Sequence, residues 1–171
     1  MEGFKYNSYC GLYCGACDIL SAYKRAFEKN QKVRWEDLPE ELRNNIPANK
    51  TEGIICHGCT TDTVFIGCSK CLIRKCAKTK MKVETCFNCR SFPCIRFRSW
   101  RFVWKLMHKK LPHIRAARAN QACIQDKGVA AWLSEQEEQW KCPKCKKAFS
   151  WYEKMCSSCG SDLDFSSRFP V

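Results

Sequence analysis

Apolar positions recur at helical spacing in several stretches of the chain. From Ile19 to Asn30, Leu20, Tyr23 and Phe27 stand three and four residues apart, with Lys24, Arg25, Glu28 and Lys29 mostly opposite. That spacing predicts one amphipathic helix. The run Asp37-Leu38-Pro39-Glu40-Glu41-Leu42 reads as a second helix start, with Asp37 as its cap and Pro39 in its first turn. Between Ile95 and Arg118 an apolar face runs through Phe97, Trp100, Trp104, Met107, Leu111 and Ile114. Arg98, Arg101, Lys105 and Lys109 share a different stripe, and Pro112 breaks or kinks the element. Gln121 to Gln139 is expected to be helical on both sides of Gly128, with Val129, Trp132 and Leu133 inward and Glu135, Glu137 and Glu138 carrying the acidic charge.

Thr51 to Cys94 has another character. Cysteines come every few residues, punctuated by Gly53, Gly58, Gly67 and Pro93, and apolar residues are too few to build a core alone. The chain holds 16 cysteines in 171 residues. So many are disulfides, metal ligands or redox thiols, and compartment and spacing choose among these. The N-terminus has no charged segment leading into an apolar run, and no stretch reaches the length of a membrane span. A cytoplasmic protein is therefore expected, and there the thiols stay reduced.

The spacing points to metal. Cys14/Cys17, Cys56/Cys59, Cys68/Cys71, Cys86/Cys89, Cys142/Cys145 and Cys156/Cys159 are all C-x2-C pairs. Such a turn aims two sulfurs at one point, and a tetrahedral thiophilic ion needs two turns facing each other. Cys142, Cys145, Cys156 and Cys159 form the most specific set: two knuckles separated by a spacer long enough for a hairpin. They predict a zinc ribbon that adds folding energy and no chemistry. Within the cysteine-rich stretch, Cys68-x2-Cys71-x4-Cys76 and Cys86-x2-Cys89-x4-Cys94 repeat one pattern. The natural grouping is Cys56, Cys59, Cys68 and Cys71 as one site and Cys76, Cys86, Cys89 and Cys94 as another; a grouping along the repeat is the alternative. Zinc or an iron-sulfur cluster would suit either.

Cys10, Cys14 and Cys17 are spaced C-x3-C-x2-C. This spacing suits a 4Fe-4S cluster with one iron open to a small molecule. It equally suits a closed structural site whose fourth ligand comes from Cys123 or His57. The nearest acids in sequence, Asp18 and Glu84, read as surface charges as readily as catalytic groups.

The formal net charge of +13 suggests a polyanion binder. Ligating cysteines are thiolates, however, and each four-thiolate zinc site contributes about −2, so three would remove about 6. The loaded protein stays basic, with eight Lys or Arg and no acid between Ile95 and Arg118. Arg98, Arg101, Lys105 and Lys109 are the candidates for contact with RNA, DNA or an acidic protein, with Trp100 or Trp104 stacking on bases. The ordinary alternative is a core-facing aromatic stripe with a solvated basic side; membrane-surface binding is a third reading.

The motifs Tyr9-Cys-Gly-Leu-Tyr-Cys-Gly-Ala-Cys17, Ile55-Cys-His-Gly-Cys59, Gly67-Cys-Ser-Lys-Cys-Leu-Ile-Arg-Lys-Cys-Ala77 and Cys86-Phe-Asn-Cys-Arg-Ser-Phe-Pro-Cys94 together resemble a family of cysteine-rich bacterial and archaeal proteins described only as a domain of unknown function. Its members share a CGLxCxxC opening and a CxxCxIRxCA core, and the resemblance covers roughly residues 5 to 100. Gly128 to Trp140 with the ribbon resembles the tail of longer members. The resemblance implies a metal-dependent fold and transfers ligands, not a mechanism.

No phosphate-binding glycine loop, nucleophile elbow, His-Glu-x-x-His or Rossmann fingerprint is present, and Cys56-His-Gly-Cys59 is followed by Thr60, so it is not a haem attachment. The expected architecture is α-rich, with irregular cysteine knuckles stapled by metals and a small β-hairpin zinc ribbon: residues 1–94 cysteine-rich, 95–139 helical, 140–171 the ribbon. A binding or assembly module is expected ahead of an iron-sulfur redox protein or enzyme. Thiol redox by free C-x2-C pairs is a further alternative.

Overall fold

The structure is a computed structural model that describes residues 3–46 and 53–169. It is built almost wholly of helices and turns. The first helix, α1, spans Asp18–Glu28. After a 3-10 turn at Trp35–Asp37 comes a single-turn helix, α2, at Glu40–Arg43. Here the expected capping shifts by a turn. Asp37 folds back to accept the Arg34 amide at 2.9 Å and so closes the preceding turn, and Pro39 is the cap of α2.

Ile66–Ser69 forms α3 and Leu72–Lys75 forms α4, which widens into a π turn at Cys76–Met81 and stops where Lys82 takes φ 51°. The next helix, α5, runs Ile95–Met107 and ends ahead of Pro112; a 3-10 turn at Pro112–Arg115 leads into α6, Ala116–Gln139. Gly128 breaks α6 in the middle with φ 83° and ψ 169°, as expected of the one residue without a Cβ there.

Most elements are too short to be stable alone, so packing carries them. Trp132 of α6 is fully buried and meets Tyr13 edge-on, and Leu20 of α1 and Leu42 of α2 are fully buried too. The Cys10–Cys14 turn is pinned to α6 by Asn120, whose amide donates to the Gly11 carbonyl at 2.8 Å. Gly11 itself has φ 85°, and a Cβ there would lie 2.9 Å from the Phe87 ring.

The expected β-hairpin between the two tail knuckles does not form among the described residues. Only two isolated bridges occur, Lys141 with Ala148 and Met155 with Asp162, and each closes its own knuckle. The spacer is diverted onto the helical body. Trp151 donates its amide to the Ala16 carbonyl at 2.8 Å and stacks on His113, with ring centroids 4.2 Å apart. Tyr152 bonds His113 Nδ1 at 2.6 Å through its hydroxyl. No helix is long and apolar enough to cross a membrane among the described residues.

Candidate metal centres

The tail brings four sulfurs together. The Sγ atoms of Cys142, Cys145, Cys156 and Cys159 all lie within 4.8 Å of one another. Cys142 and Cys159 are 3.7 Å apart, Cys145 and Cys156 3.5 Å. Four thiolates about 2.3 Å from one tetrahedral ion stand about 3.8 Å from each other, so the set fits a single zinc-sized ion.

Both knuckles are folded alike. The first cysteine of each pair donates its amide five residues on, Cys142 to Lys147 and Cys156 to Ser161, both at 2.8 Å. The residue after each pair turns left-handed, Lys146 at φ 61° and Gly160 at φ 70°. Ser161 places its hydroxyl 3.3 Å from Cys142 Sγ and 3.1 Å from Cys159 Sγ. That hydroxyl, with the Cys145 amide, brings Cys142 down to about 6, and it also lowers Cys159. Thiols so poised give up their protons readily to a cation.

The other thiols are gathered differently. Cys14/Cys17, Cys68/Cys71 and Cys86/Cys89 each close with the second amide on the first carbonyl, at 3.0–3.1 Å. Around the first two of these pairs other thiols gather in a loose group, called the chamber below. The N-terminal segment joins its walls: Cys14 donates to the Tyr6 carbonyl and Lys5 to the His57 carbonyl, both at 2.8 Å. Cys14 is raised well above its ordinary value by burial and then by the thiols of Cys59, Cys17 and Cys56. Burial and Cys56 push Cys17 up to about 12 against the pull of the α1 amides. Burial and Cys10 do the same for Cys59, also to about 12. Cys68 is within electrostatic reach of Cys17, Cys59, Cys56 and Cys71, and Cys10 of Cys71. Thus Cys10, Cys14 and Cys17 lie in the neighbourhood of Cys56, Cys59, Cys68 and Cys71.

Arg74 stands at the chamber wall. It is buried, donates Nε to the Cys59 carbonyl at 2.9 Å and a terminal nitrogen to the Thr61 carbonyl at 2.7 Å, and favours the thiolates of Cys56 and Cys59. Carbonyls satisfy its protons without matching its charge, which a thiolate at Cys56 or Cys59 would offset.

Beside the chamber, Cys76, Cys86, Cys89 and Cys94 line one cavity of about 30 Å³, walled otherwise by apolar side chains such as Met81, Val83 and Phe92. These are the four that the sequence grouped. Cys86 also lies within reach of Cys10, so cavity and chamber adjoin. Among the described residues, no three sulfurs of either group come within the 4.8 Å that encloses the tail set.

Neither proposed fourth ligand joins Cys10, Cys14 and Cys17. The thiol of Cys123 donates to Glu135 at 3.3 Å on α6. The His57 ring packs among Phe4, Tyr23 and Phe27, with centroids 5.0 to 6.2 Å away. Asp18 is no surface charge. It is 2 % exposed and accepts the Ser150 hydroxyl at 2.6 Å and the Tyr152 amide at 3.3 Å, and burial raises it to about 6 despite those bonds. Spacing alone gave no sign of this, because the partner residues lie at the far end of the chain.

A family model described as "Protein of unknown function (DUF3795)" matches residues 6–99. The chain belongs to this family. The match takes in the chamber and the cavity and leaves the tail site outside the DUF3795 region. No curated protein and no solved structure matches the chain.

On α5, Arg98, Arg101 and Lys105 are exposed, as is Lys109 in the turn that follows. Phe97 is buried and Trp100 and Trp104 are partly so, packed against each other and Phe97, which takes the tryptophans away from the stacking role. The exposed aromatic is Phe102, 64 % exposed, in a second apolar stripe with Ile95 and Leu106.

Proposed function

We propose that this chain is a metal-thiolate protein working as a binding module, with a structural zinc ion in the tail and thiophilic metals at the DUF3795 cysteines. The observation that carries the reading is the convergence of Cys142, Cys145, Cys156 and Cys159 at the spacing of one tetrahedral ion. The tail ion closes two knuckles whose spacer, through Trp151 and Tyr152, clamps the start of α1 and His113. Its role is to hold the helices on which the other cysteines stand. Zinc, iron and acid-labile sulfide per chain, measured after purification without oxygen, test this. Zinc is expected in the full chain, one ion fewer in a Cys142→Ala, Cys145→Ala variant. A full chain free of bound metal overturns the proposal, and iron with sulfide at the family cysteines moves it to the iron-sulfur alternative.

A second reading comes from α5, contact with RNA or DNA. Its support is a run free of acidic residues from Thr85 to Gln125 and an exposed row of Arg98, Arg101, Lys105 and Lys109 beside Phe102. Phosphates would meet the row and a base would stack on Phe102. Binding of labelled single strands should weaken with salt, and Arg98→Ala or Lys105→Ala should each reduce the log–log salt slope by about 1. Salt-independent binding, or none, sinks this reading.

A further inference from the structure

The helix α5 is apolar on two opposite sides. Its inner side, Phe97 with Trp100 and Trp104, is held to the body, where Phe97 meets the rings of Phe87 and Phe92 at centroid distances of 5.8 and 4.8 Å. At about 3.6 residues per turn, Ile95, Phe102 and Leu106 fall within about 40° of one another on the outer side. They are 78 %, 64 % and 64 % exposed. One exposed apolar side chain is ordinary, but three in a row along about 17 Å of helix mark a contact surface. Cations border that row on both sides, Arg98 and Lys105 on one and Arg96 on the other, all exposed. None of the three is in an ion pair among the described residues. No acid occurs from Thr85 to Gln125 to answer them.

This combination selects among occupants. A second copy of the chain would set like charges against each other along the seam, with no carboxylate on either helix. A nucleic acid would use the cations and Phe102, but Ile95 and Leu106 carry no ring for a base and would stay in water. An acidic protein would need a groove as well as charge, because side chains so exposed form a ridge. An anionic bilayer needs no preformed groove. Its acyl boundary yields to the apolar row, and its headgroup phosphates meet the flanking Arg and Lys, whose long stems reach back to that level.

We infer that the outer face of α5 docks the protein on an anionic lipid surface. Ile95, Phe102 and Leu106 enter the boundary between headgroups and acyl chains, and Arg96, Arg98 and Lys105 engage the phosphates. The helix lies along the surface, carried on the body through Phe97. The inference is independent of the metal reading; it shares the basic row with the nucleic-acid reading and differs from it in using the apolar row.

Sedimentation of the full, metal-loaded chain with vesicles tests it, using phosphatidylcholine alone and an equal mixture of phosphatidylcholine and phosphatidylglycerol. Binding is expected on the mixed vesicles, weaker as salt rises, and far weaker on phosphatidylcholine alone. Leu106→Ser should weaken it about tenfold through lost apolar burial. Arg98→Gln should weaken it about fivefold through lost attraction to the charged surface. Both side chains are exposed, so circular dichroism and metal content should match the parent, and metal measured on the same samples shows separately whether the metal reading fails. No binding to the mixed vesicles overturns the inference, as does binding unchanged in Leu106→Ser, which would be attraction of charge alone. Labelled RNA bound equally by parent and Leu106→Ser, lost in Phe102→Ser and unaccompanied by vesicle binding, gives the face to nucleic acid. A parent that is dimeric without lipid and monomeric as Leu106→Ser gives it to a second copy.

Discussion

The tail and the family region both collect cysteines, but they do so by opposite means. In the tail each knuckle is complete in itself: a C-x2-C turn, a left-handed residue after it and one bridge, twice over. The four sulfurs meet because two local folds face each other, and a single hydroxyl, Ser161, lowers two of them. In the chamber the turns are local, but their meeting is not. It depends on the N-terminal segment binding His57, on Arg74 crossing to Cys59, and on Asn120 holding Gly11. Burial raises the chamber thiols, so any ion entering there would have to displace firmly held protons. A local site can act as a staple, whereas a site assembled from distant segments makes the metal part of the tertiary fold.

The largest expected effect breaks the comparison at its staple. Cys142→Ala should lose the tail ion and with it a coupling of binding to folding of about 10 kcal/mol, the scale of structural zinc sites. Zinc per chain should fall by one, and the fluorescence of Trp140 and Trp151 should change as the tail opens. The family region should keep its metals. Loss of every metal together would mean that the two regions are one unit.

Next in size is Gly58→Ala at the chamber. Its φ of 121° and the 1.9 Å approach of a new Cβ to the Lys5 carbonyl leave no room without moving backbone. A cost of about 3 kcal/mol is expected, within the range of strained-backbone and overpacking substitutions. It should appear in urea unfolding as a lower midpoint, with metal lost from the family cysteines before the tail. A variant as stable as the parent would show that the Lys5 to His57 contact does not hold the chamber together.

A smaller effect probes the dock between the regions. His113 is buried against Trp151 and Tyr152, and burial brings it down to about 3. Its folded value lies below the unfolded value near 6.5, so neutral His113 contributes fully above pH 6.5, and stability is lost as pH falls from there toward 3. The loss is about 1.4 kcal/mol per pH unit, or about 2 kcal/mol at pH 5. His113→Phe strands the Tyr152 hydroxyl at every pH but removes this slope. Parallel stability curves for the two chains between pH 6.5 and 5 would exclude the protonation of His113 as a cause.

How much of this could be read from the sequence follows the same division. The tail cysteine set was legible because its members lie close together in sequence; the hairpin expected between them is not formed, since Trp151 and Tyr152 carry the spacer onto the helices. The cavity quartet was legible from spacing too. The chamber was legible in its members; that Cys10, Cys14 and Cys17 lie near Cys56, Cys59, Cys68 and Cys71 was not, because the amide and guanidinium bonds that join Lys5 to His57 and Arg74 to Cys59 leave no periodic trace. Asp18 looked like a surface charge for the same reason, its partners being Ser150 and Tyr152. On α5 the inward stripe was correct, but it drew attention from Ile95, Phe102 and Leu106, which also recur at helical spacing and face outward.

The smallest effect sharpens the contrast from the tail side. Gly160 and Lys146 hold equivalent places in the two knuckles, at φ 70° and 61°, and nothing lies within 4 Å of where a Cβ on Gly160 would be. The position therefore demands a left-handed backbone and no space, and its twin shows that a side chain is accepted. Gly160→Ala should cost about 1 kcal/mol, the penalty of the left-handed region for a residue with a Cβ, and Gly160→Asn less. Neither should release zinc. Equal penalties at Gly160 and Gly58 would erase the distinction, because the first glycine serves a turn that folds locally and the second serves the contact of two distant segments. The comparison is cleanest when both variants are unfolded in urea with metal content followed in parallel: a modest shift with the tail ion retained at Gly160, set against a large shift with chamber metal lost at Gly58.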